Sequence, residues 1–285
     1  MGSLFAHTKT MIDFNQLSLQ VAEVARRAGQ FIHQEAATFD RGRIQHKGLH
    51  DMVSYVDQEA EKLLVAGLRE LLPEAGFITE EGTTGGSSQA TSAGTGLTWI
   101  IDPLDGTTNF IHGLPIYSVS VALMQGRELV IGVVYEVNQQ ECFRAVRGGG
   151  AFCNEQPIRV SSTQDLNHSL IATGFPYSNF NRIDTYLPIL KEFMRRTNGV
   201  RRVGSAAIDL AWVAAGRFDG YFEFNINSYD VAAGILLVRE AGGHVTQFLH
   251  DGDPIFGREV VASNTAVHAE MQEVIGEHWP AHAPA

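Results

Sequence analysis

The chain has 285 residues, 44% of them hydrophobic and 19% charged, with a formal net charge of −11, enough for one large domain or two modest ones with a sizeable core. That acidity disfavours broad binding to nucleic acid or to anionic membranes, and no apolar run approaches the ~20 residues of a membrane-spanning helix. The only two cysteines, Cys142 and Cys153, show no metal-binding spacing, and residues 1–10 lack the apolar core of a signal peptide, so the expected setting is reducing and cytoplasmic.

Asp13 with Gln16 three residues on resembles a capping box, and Leu17, Val21, Val24, Ala28, Phe31 and Ile32 follow at helical spacing. Together they predict a first helix over residues 14–37. Alternation from Met52 to Val56 predicts a strand leading into a second helix, with Asp57 as N-cap, Ala60, Leu64 and Leu68 on its buried side and Pro73 closing it. Residues 76–82 read as a short apolar strand running into Glu80 and Glu81, a pair that by itself suits a solvated acidic turn. The Gly-, Ser- and Thr-rich residues 83–96 then read as a surface loop.

Trp99-Ile100-Ile101 suits a strand buried on both faces, and it runs into Asp102-Pro103-Leu104-Asp105-Gly106. Pro103 has no N–H to continue a ladder and Gly106 permits a sharp turn, so the strand is expected to stop there. Thr107, Thr108 and Asn109 suit a helix start near Gly106, which would present free N–H groups, a phosphate-binding arrangement, beside both carboxylates. Carboxylates this close repel unless cations compensate them, and hard oxygen donors suit Mg²⁺ or Mn²⁺. The plainer alternative is an Asp-rich turn closed by glycine, and this stretch alone leaves both open.

Strands follow at residues 117–124, 129–137 and 141–147, antiparallel through tight turns. Gly148-Gly149-Gly150 lacks the Lys-Ser/Thr ending and following helix of a phosphate loop and reads as a hairpin turn. Beyond residue 160 strands alternate with helices: strands at 170–173, 200–203, 220–224, 245–248 and 260–262, helices at 184–197, 206–215, 229–241 and 266–278. The expected organisation is an N-terminal α+β half, residues 11–155, carrying the acidic motifs, and a C-terminal α/β half, residues 156–280, completing the site, packed as one unit. Ser228 suits the N-cap of its helix and the helix dipole accounts for Asp230 in the first turn. The small residues Ala232, Ala233 and Gly234 nevertheless permit close packing that could turn Asp230 toward the cavity of Asp102.

Glu80-Glu81, the run Asp102-Pro103-Leu104-Asp105-Gly106-Thr107-Thr108-Asn109-Phe110 and Tyr229-Asp230-Val231-Ala232-Ala233-Gly234, in this order, resemble the inositol monophosphatase family from about residue 17 onward. The resemblance implies a layered α/β/α/β/α sandwich, a homodimer, and a phosphate-monoester substrate hydrolysed with Mg²⁺, Mn²⁺ being a possible substitute and Li⁺ an inhibitor. It implies Glu80, Asp102, Asp105 and Asp230 as side-chain metal ligands, the carbonyl of Leu104 as another, and Asp57 as a water-mediated support. The implied mechanism is direct attack on phosphorus by a metal-activated water, with Glu80 and Thr107 taking its proton and the N–H groups of Gly106 and Thr107 holding phosphate oxygens. Gly204, Ser205 and Ala206 would line the substrate pocket, where Asp230 also lies, and Glu223, seven residues before Asp230, would accept hydrogen bonds from inositol hydroxyls as an ionised carboxylate.

Tyr229 stands where Trp is common, and Asn227 where some members carry His. Thr108-Asn109 resembles the inositol branch rather than the adenosine bisphosphate phosphatases, which commonly have Lys at the second Thr. Pro103-Leu104 between the two aspartates departs from the D-x-D-G-T of phospho-aspartyl enzymes. The implied substrate is myo-inositol 1-phosphate; adenosine 3',5'-bisphosphate, histidinol phosphate and fructose 1,6-bisphosphate remain alternatives, as does a regulatory binding role on another surface.

Overall fold

Asp13 starts α1 (Phe14–Ala36) by accepting hydrogen bonds from the N–H groups of Asn15 and Gln16, and the helix buries Leu17, Val21, Ala25, Ala28 and Ile32 along one stripe. The structure, a computed structural model, describes residues 12–39, 45–48, 51–84, 96–176, 180–249 and 252–280. Most of the expected 83–96 loop lies outside the described residues. After α1 come a hairpin of β1 (Gln45–Gly48) and β2 (Asp51–Val53) and then α2 (Tyr55–Leu71). This second helix begins earlier than the sequence reading placed it: Ser54 is the N-cap and Asp57 the third helical residue, the two forming a reciprocal capping box.

Seven strands form the first sheet in chain order: β3 (Gly76–Thr79), β4 (Leu97–Asp105), β5 (Ser118–Gln125), β6 (Glu128–Glu136), β7 (Glu141–Val146), β8 (Gly150–Cys153) and β9 (Gln156–Pro157). Only β3 and β4 run parallel; the other neighbours are antiparallel, and Gly148–Gly150 make the turn from β7 into β8, as expected. The short helix α3 (Thr107–His112) fills the connection from β4 to β5.

β4 ends within the expected Asp102–Gly106 run, but Pro103 does not break it, for a reason that shapes the site. The strand continues to Asp105, and its pairing with β5 shifts register between Asp102, opposite Ser120, and Asp105, opposite Ser118. One extra residue on β4 makes a bulge, and the missing N–H of Pro103 falls inside it. On a regular strand, residues three apart point to opposite faces. The extra residue cancels that alternation and brings both aspartates to one side.

The second sheet has the order β11 (Gly199–Arg201), β10 (Leu170–Thr173), β12 (Gly220–Phe224), β14 (Glu259–Ser263) and β13 (His244–Thr246). Here β10 is parallel to both neighbours, while β14 is antiparallel to β12 and β13. Helices α1 and α2 cover one face of the first sheet, α5 (Ala206–Ala214) and α6 (Ser228–Glu240) lie between the sheets, and α4 (Ile183–Arg196) and α7 (His268–Gly276) cover the outer face of the second. The layering is α/β/α/β/α, as the resemblance implied.

The core follows those layers. Ile100, Ala122, Val134 and Phe143 from the first sheet meet Ala207, Leu210, Ala233 and Leu237 of the middle helices, which in turn meet Ala172, Tyr221 and Val260 of the second. A methyl group on Gly234 would stand 2.4 Å from the Cβ of Leu210, so α6 reaches α5 only with a hydrogen there. That close approach holds the start of α6 against the end of β4.

Candidate metal centre

Two neighbouring chain segments and one helix start deliver the acids. Asp102 and Asp105 come from the bulged end of β4, and Asp230 from the first turn of α6; the three offer oxygens all within 4.8 Å of one another. Asp102 Oδ1 accepts the N–H of Leu104 at 3.0 Å, which fixes the bulge. Asp105 Oδ2 accepts the Ser205 hydroxyl at 2.6 Å and the N–H of Ala207 at 2.7 Å, both at the start of α5. Asp230 Oδ2 accepts the N–H of Asn227 at 2.7 Å, so Asn227 rather than Ser228 is the cap of α6. Glu80, just beyond β3, lies close enough to Asp102 for its charge to help raise that carboxyl.

Asp57, which the resemblance implies as a water-mediated support of the metal, directly contacts Thr107. Its Oδ2 accepts the N–H and hydroxyl of Ser54 at 2.8 and 2.6 Å, while its Oδ1 accepts the Thr107 hydroxyl at 2.9 Å. The same hydroxyl lies 3.0 Å from the carbonyl oxygen of Leu104. Thr107 thus has one proton and two acceptors, and its lone pairs stay free for another donor. Gly106, between Asp105 and Thr107, has φ +96°, and a side chain there would stand 3.1 Å from the carbonyl oxygen of Ile116 and 3.2 Å from that of Gly204. Only glycine fits that approach. Asn109 ties the same segments together, donating to the carbonyls of Ile116 and Val203 at 2.8 and 3.0 Å.

Burial decides the charge state. It raises Asp102 well above the usual carboxylate range, and the charges of Glu80, Asp105 and Asp230 add to the effect. Burial pushes Asp105 up to about 6 despite the opposing donors of Ser205, Ala207 and Ala206, and pushes Asp230 up to about 7, with the Asp105 charge adding and the Asn227 N–H opposing. Without a cation these groups share protons at neutral pH. An all-oxygen donor set that strains to hold charge fits a small hard divalent cation, Mg²⁺ or Mn²⁺.

Beside this group, burial pushes Glu223 up to about 8 even though the Tyr221 hydroxyl donates to it and Arg202 lends its charge. In the metal-free chain these surroundings work against the ionised carboxylate that the resemblance implies for Glu223. Ser205, expected as pocket lining, is buried and turned onto Asp105. Sequence reasoning passed over Asp209, which sits in the first turn of α5, 2% exposed, with Oδ1 lacking a hydrogen-bond partner. Burial and the charge of Glu223 raise it well above the usual range. An acid in a first turn is ordinary, so nothing local in the sequence marks it.

Residues 15–281 match the model of the inositol monophosphatase family. The chain belongs to that family. Among its relatives, the putative Nus factor SuhB of Neisseria meningitidis serogroup B is 43% identical, across 90% of this chain and 96% of its own. The inositol-1-monophosphatase of Mesorhizobium japonicum is 37% identical, across 90% of this chain and 94% of its own. The crystal structure of the extragenic suppressor protein suhB from Bartonella henselae superposes with a TM-score of 0.83 at 39% identity, covering 90% of this chain and 97% of that one. No helix among the described residues is long and apolar enough to cross a membrane.

The raised carboxyls of this inositol monophosphatase family member give its stability a definite pH dependence. With Asp102, Asp105 and Asp230 all raised in the folded state, the metal-free folded chain binds more protons than the unfolded chain between about pH 4 and 7, so these groups stabilise at low pH and lose that contribution as pH rises through the window. Mg²⁺ or Mn²⁺ competes with those protons. Scanning calorimetry should show the cation raising Tm at about pH 7.5 and much less at about pH 5, with the difference reduced in Asp105→Asn. Equal cation effects at the two pH values would contradict this electrostatic account.

Proposed function

We propose that the chain is a Mg²⁺-dependent phosphomonoesterase that hydrolyses inositol monophosphates, with myo-inositol 1-phosphate as substrate. The observation that carries the reading is the convergence of Asp102, Asp105 and Asp230 beside a threonine hydroxyl held by Asp57, in a chain of the inositol monophosphatase family. Glu80, Asp102, Asp105, Asp230 and the carbonyl of Leu104 would hold the metal. Bound Mg²⁺ lowers the pKa of a water and offsets negative charge on phosphate and leaving oxygen.

The chain's own groups supply the rest. Thr107, its proton directed to Asp57 Oδ1 or the carbonyl of Leu104, accepts a hydrogen bond from the attacking water and so aims it. Glu80 takes the water's proton. The N–H groups of Gly106 and Thr107 hold phosphate oxygens at the turn into α3, where Gly106 leaves room for close approach. Gly204, Ser205 and Ala206 form the wall beside that turn, and Ser205 keeps Asp105 in place. Glu223, on the inward side of β12 with Tyr221, faces the substrate's hydroxyls.

Relatives named Nus factor SuhB favour a second reading, a regulatory binding role on another surface. The formal charge of −11 disfavours broad contact with nucleic-acid phosphates, so protein contacts would carry such a role.

Asp102→Asn should fold normally yet lower Mg²⁺-dependent hydrolysis of inositol 1-phosphate roughly a thousandfold or more, the equivalent of several kcal/mol of lost transition-state stabilisation. A folded Asp102→Asn protein with near-wild-type turnover would overturn the site assignment. With a cation offsetting the charges of Asp105 and Asp230 that raise Glu223, its carboxylate accepts the substrate's hydroxyls, and bonds to an ionised acceptor contribute about 1.5–3 kcal/mol each. Glu223→Gln should therefore lower kcat/KM for inositol 1-phosphate roughly ten- to a hundredfold, and that for 2-glycerophosphate less. Equal losses on the two substrates would place Glu223 in support of the metal or the fold instead.

A further inference from the structure

Helix α2 carries a second carboxylate that neither the acid cluster nor the substrate wall uses. Glu61 lies one helical turn beyond Asp57, on the same face, and is fully buried. Its Oε2 accepts the N–H of Glu81 at 2.7 Å, and its Oε1 accepts the N–H and the hydroxyl of Thr83, each at 2.7 Å. All three donors belong to the turn that leaves β3 directly after Glu80. Apart from Asp57 and Glu61, the buried stripe of α2 is apolar, with Val56, Ala60, Leu64 and Leu68. A leucine or methionine would suit position 61 if filling space were the only need, and a carboxylate is costly to bury unless its oxygens are satisfied.

We propose that Glu61 is a positioning residue for Glu80 and thereby sets the affinity of the metal centre. The backbone of residues 81–83 is held by Glu61, so the peptide that follows Glu80 cannot swing, and the Glu80 carboxyl stays against Asp102. Asp57, one turn earlier, does the same for Thr107. A single helix thus fixes two groups that reach the site from different strands, one from the end of β3 and one from the end of β4. The inference rests on the reading of the acid cluster as a metal site.

The test is Mn²⁺ binding to the full-length protein without substrate, followed by the paramagnetic resonance of free Mn²⁺, alongside Mg²⁺ titrations of inositol 1-phosphate hydrolysis. In Glu61→Gln an amide NH₂ replaces one acceptor and meets an N–H donor, so the turn loosens. Outer-shell partners of metal ligands typically contribute 10- to 100-fold in affinity. Glu61→Gln should accordingly raise the Mn²⁺ Kd about tenfold or more and raise the Mg²⁺ needed for half-maximal rate by a similar factor, with KM at saturating Mg²⁺ within about twofold of wild type. Thr83→Val, which removes one of the three bonds, should move the same quantities in the same direction by a smaller factor, and it decides the matter if Glu61→Gln does not fold.

Folded variants with wild-type Mn²⁺ affinity, or a changed KM at unchanged metal affinity, would overturn the proposal. A wild-type protein that binds Mn²⁺ but hydrolyses no phosphate ester would overturn the phosphatase reading and leave Glu61 to be decided by the Mn²⁺ measurements. A wild-type protein that binds no Mn²⁺ would overturn both.

Discussion

Desolvation and repulsion of the clustered carboxyls of Asp102, Asp105 and Asp230, whose oxygens lie within 4.8 Å of one another, are the constraint on which the rest of the structure turns. Asp102 and Asp105 are buried and Asp230 is half-buried, and neighbouring carboxylates make ionisation harder still at Asp102 and Asp230. The surrounding elements offset part of this. The start of α5 directs an N–H and the Ser205 hydroxyl to Asp105, the turn into α6 directs an N–H to Asp230, and the bulge directs one to Asp102. These donors lower the cost without removing it, since the pKa values stay raised. What remains is the driving force for taking up a cation.

The five-layer architecture is what brings the acids together. The bulge in β4 turns two residues that a regular strand would separate to one side of the sheet. The middle layer then brings the start of α6 against them, through an approach to α5 that Gly234 makes possible. On the opposite face of the first sheet, α2 reaches past the strand ends with Asp57. The core behind the site is apolar and closely filled, from Ile100 and Phe143 through Leu210 to Tyr221, so the acids rest on a rigid floor.

Much of this was legible in the sequence. The spans of β10 and β12 coincide with their apolar runs, and the dispersed acidic motifs, read together, point to one cavity. The errors are tertiary in origin. Whether β4 stops at Pro103 depends on the register of β5, which no local rule contains. The start of α2 is ambiguous in the sequence because Ser54 and Asp57 are both good caps, and the partner three residues along is Asp rather than the Glu or Gln of the usual box. Asn227 and Ser228 compete in the same way at the start of α6. The raised carboxyls of Glu223 and Asp209 follow from burial between layers, which composition does not reveal. The partnership of Glu61 with Glu81 and Thr83 spans 20 and 22 residues, and its only sequence trace is the spacing of one helical turn from Asp57.

The central claim is that the acid cluster exchanges protons for a divalent cation, and calorimetric titration with Mg²⁺ or Mn²⁺ at about pH 6.5, in buffers of different ionisation enthalpy, tests it most directly. Because Asp230 is pushed up to about 7 and Asp102 is raised as well, binding should release on the order of one proton per cation, and the release should fall as pH rises above the Asp230 value. Cation binding with no proton release at the lower pH would contradict the account.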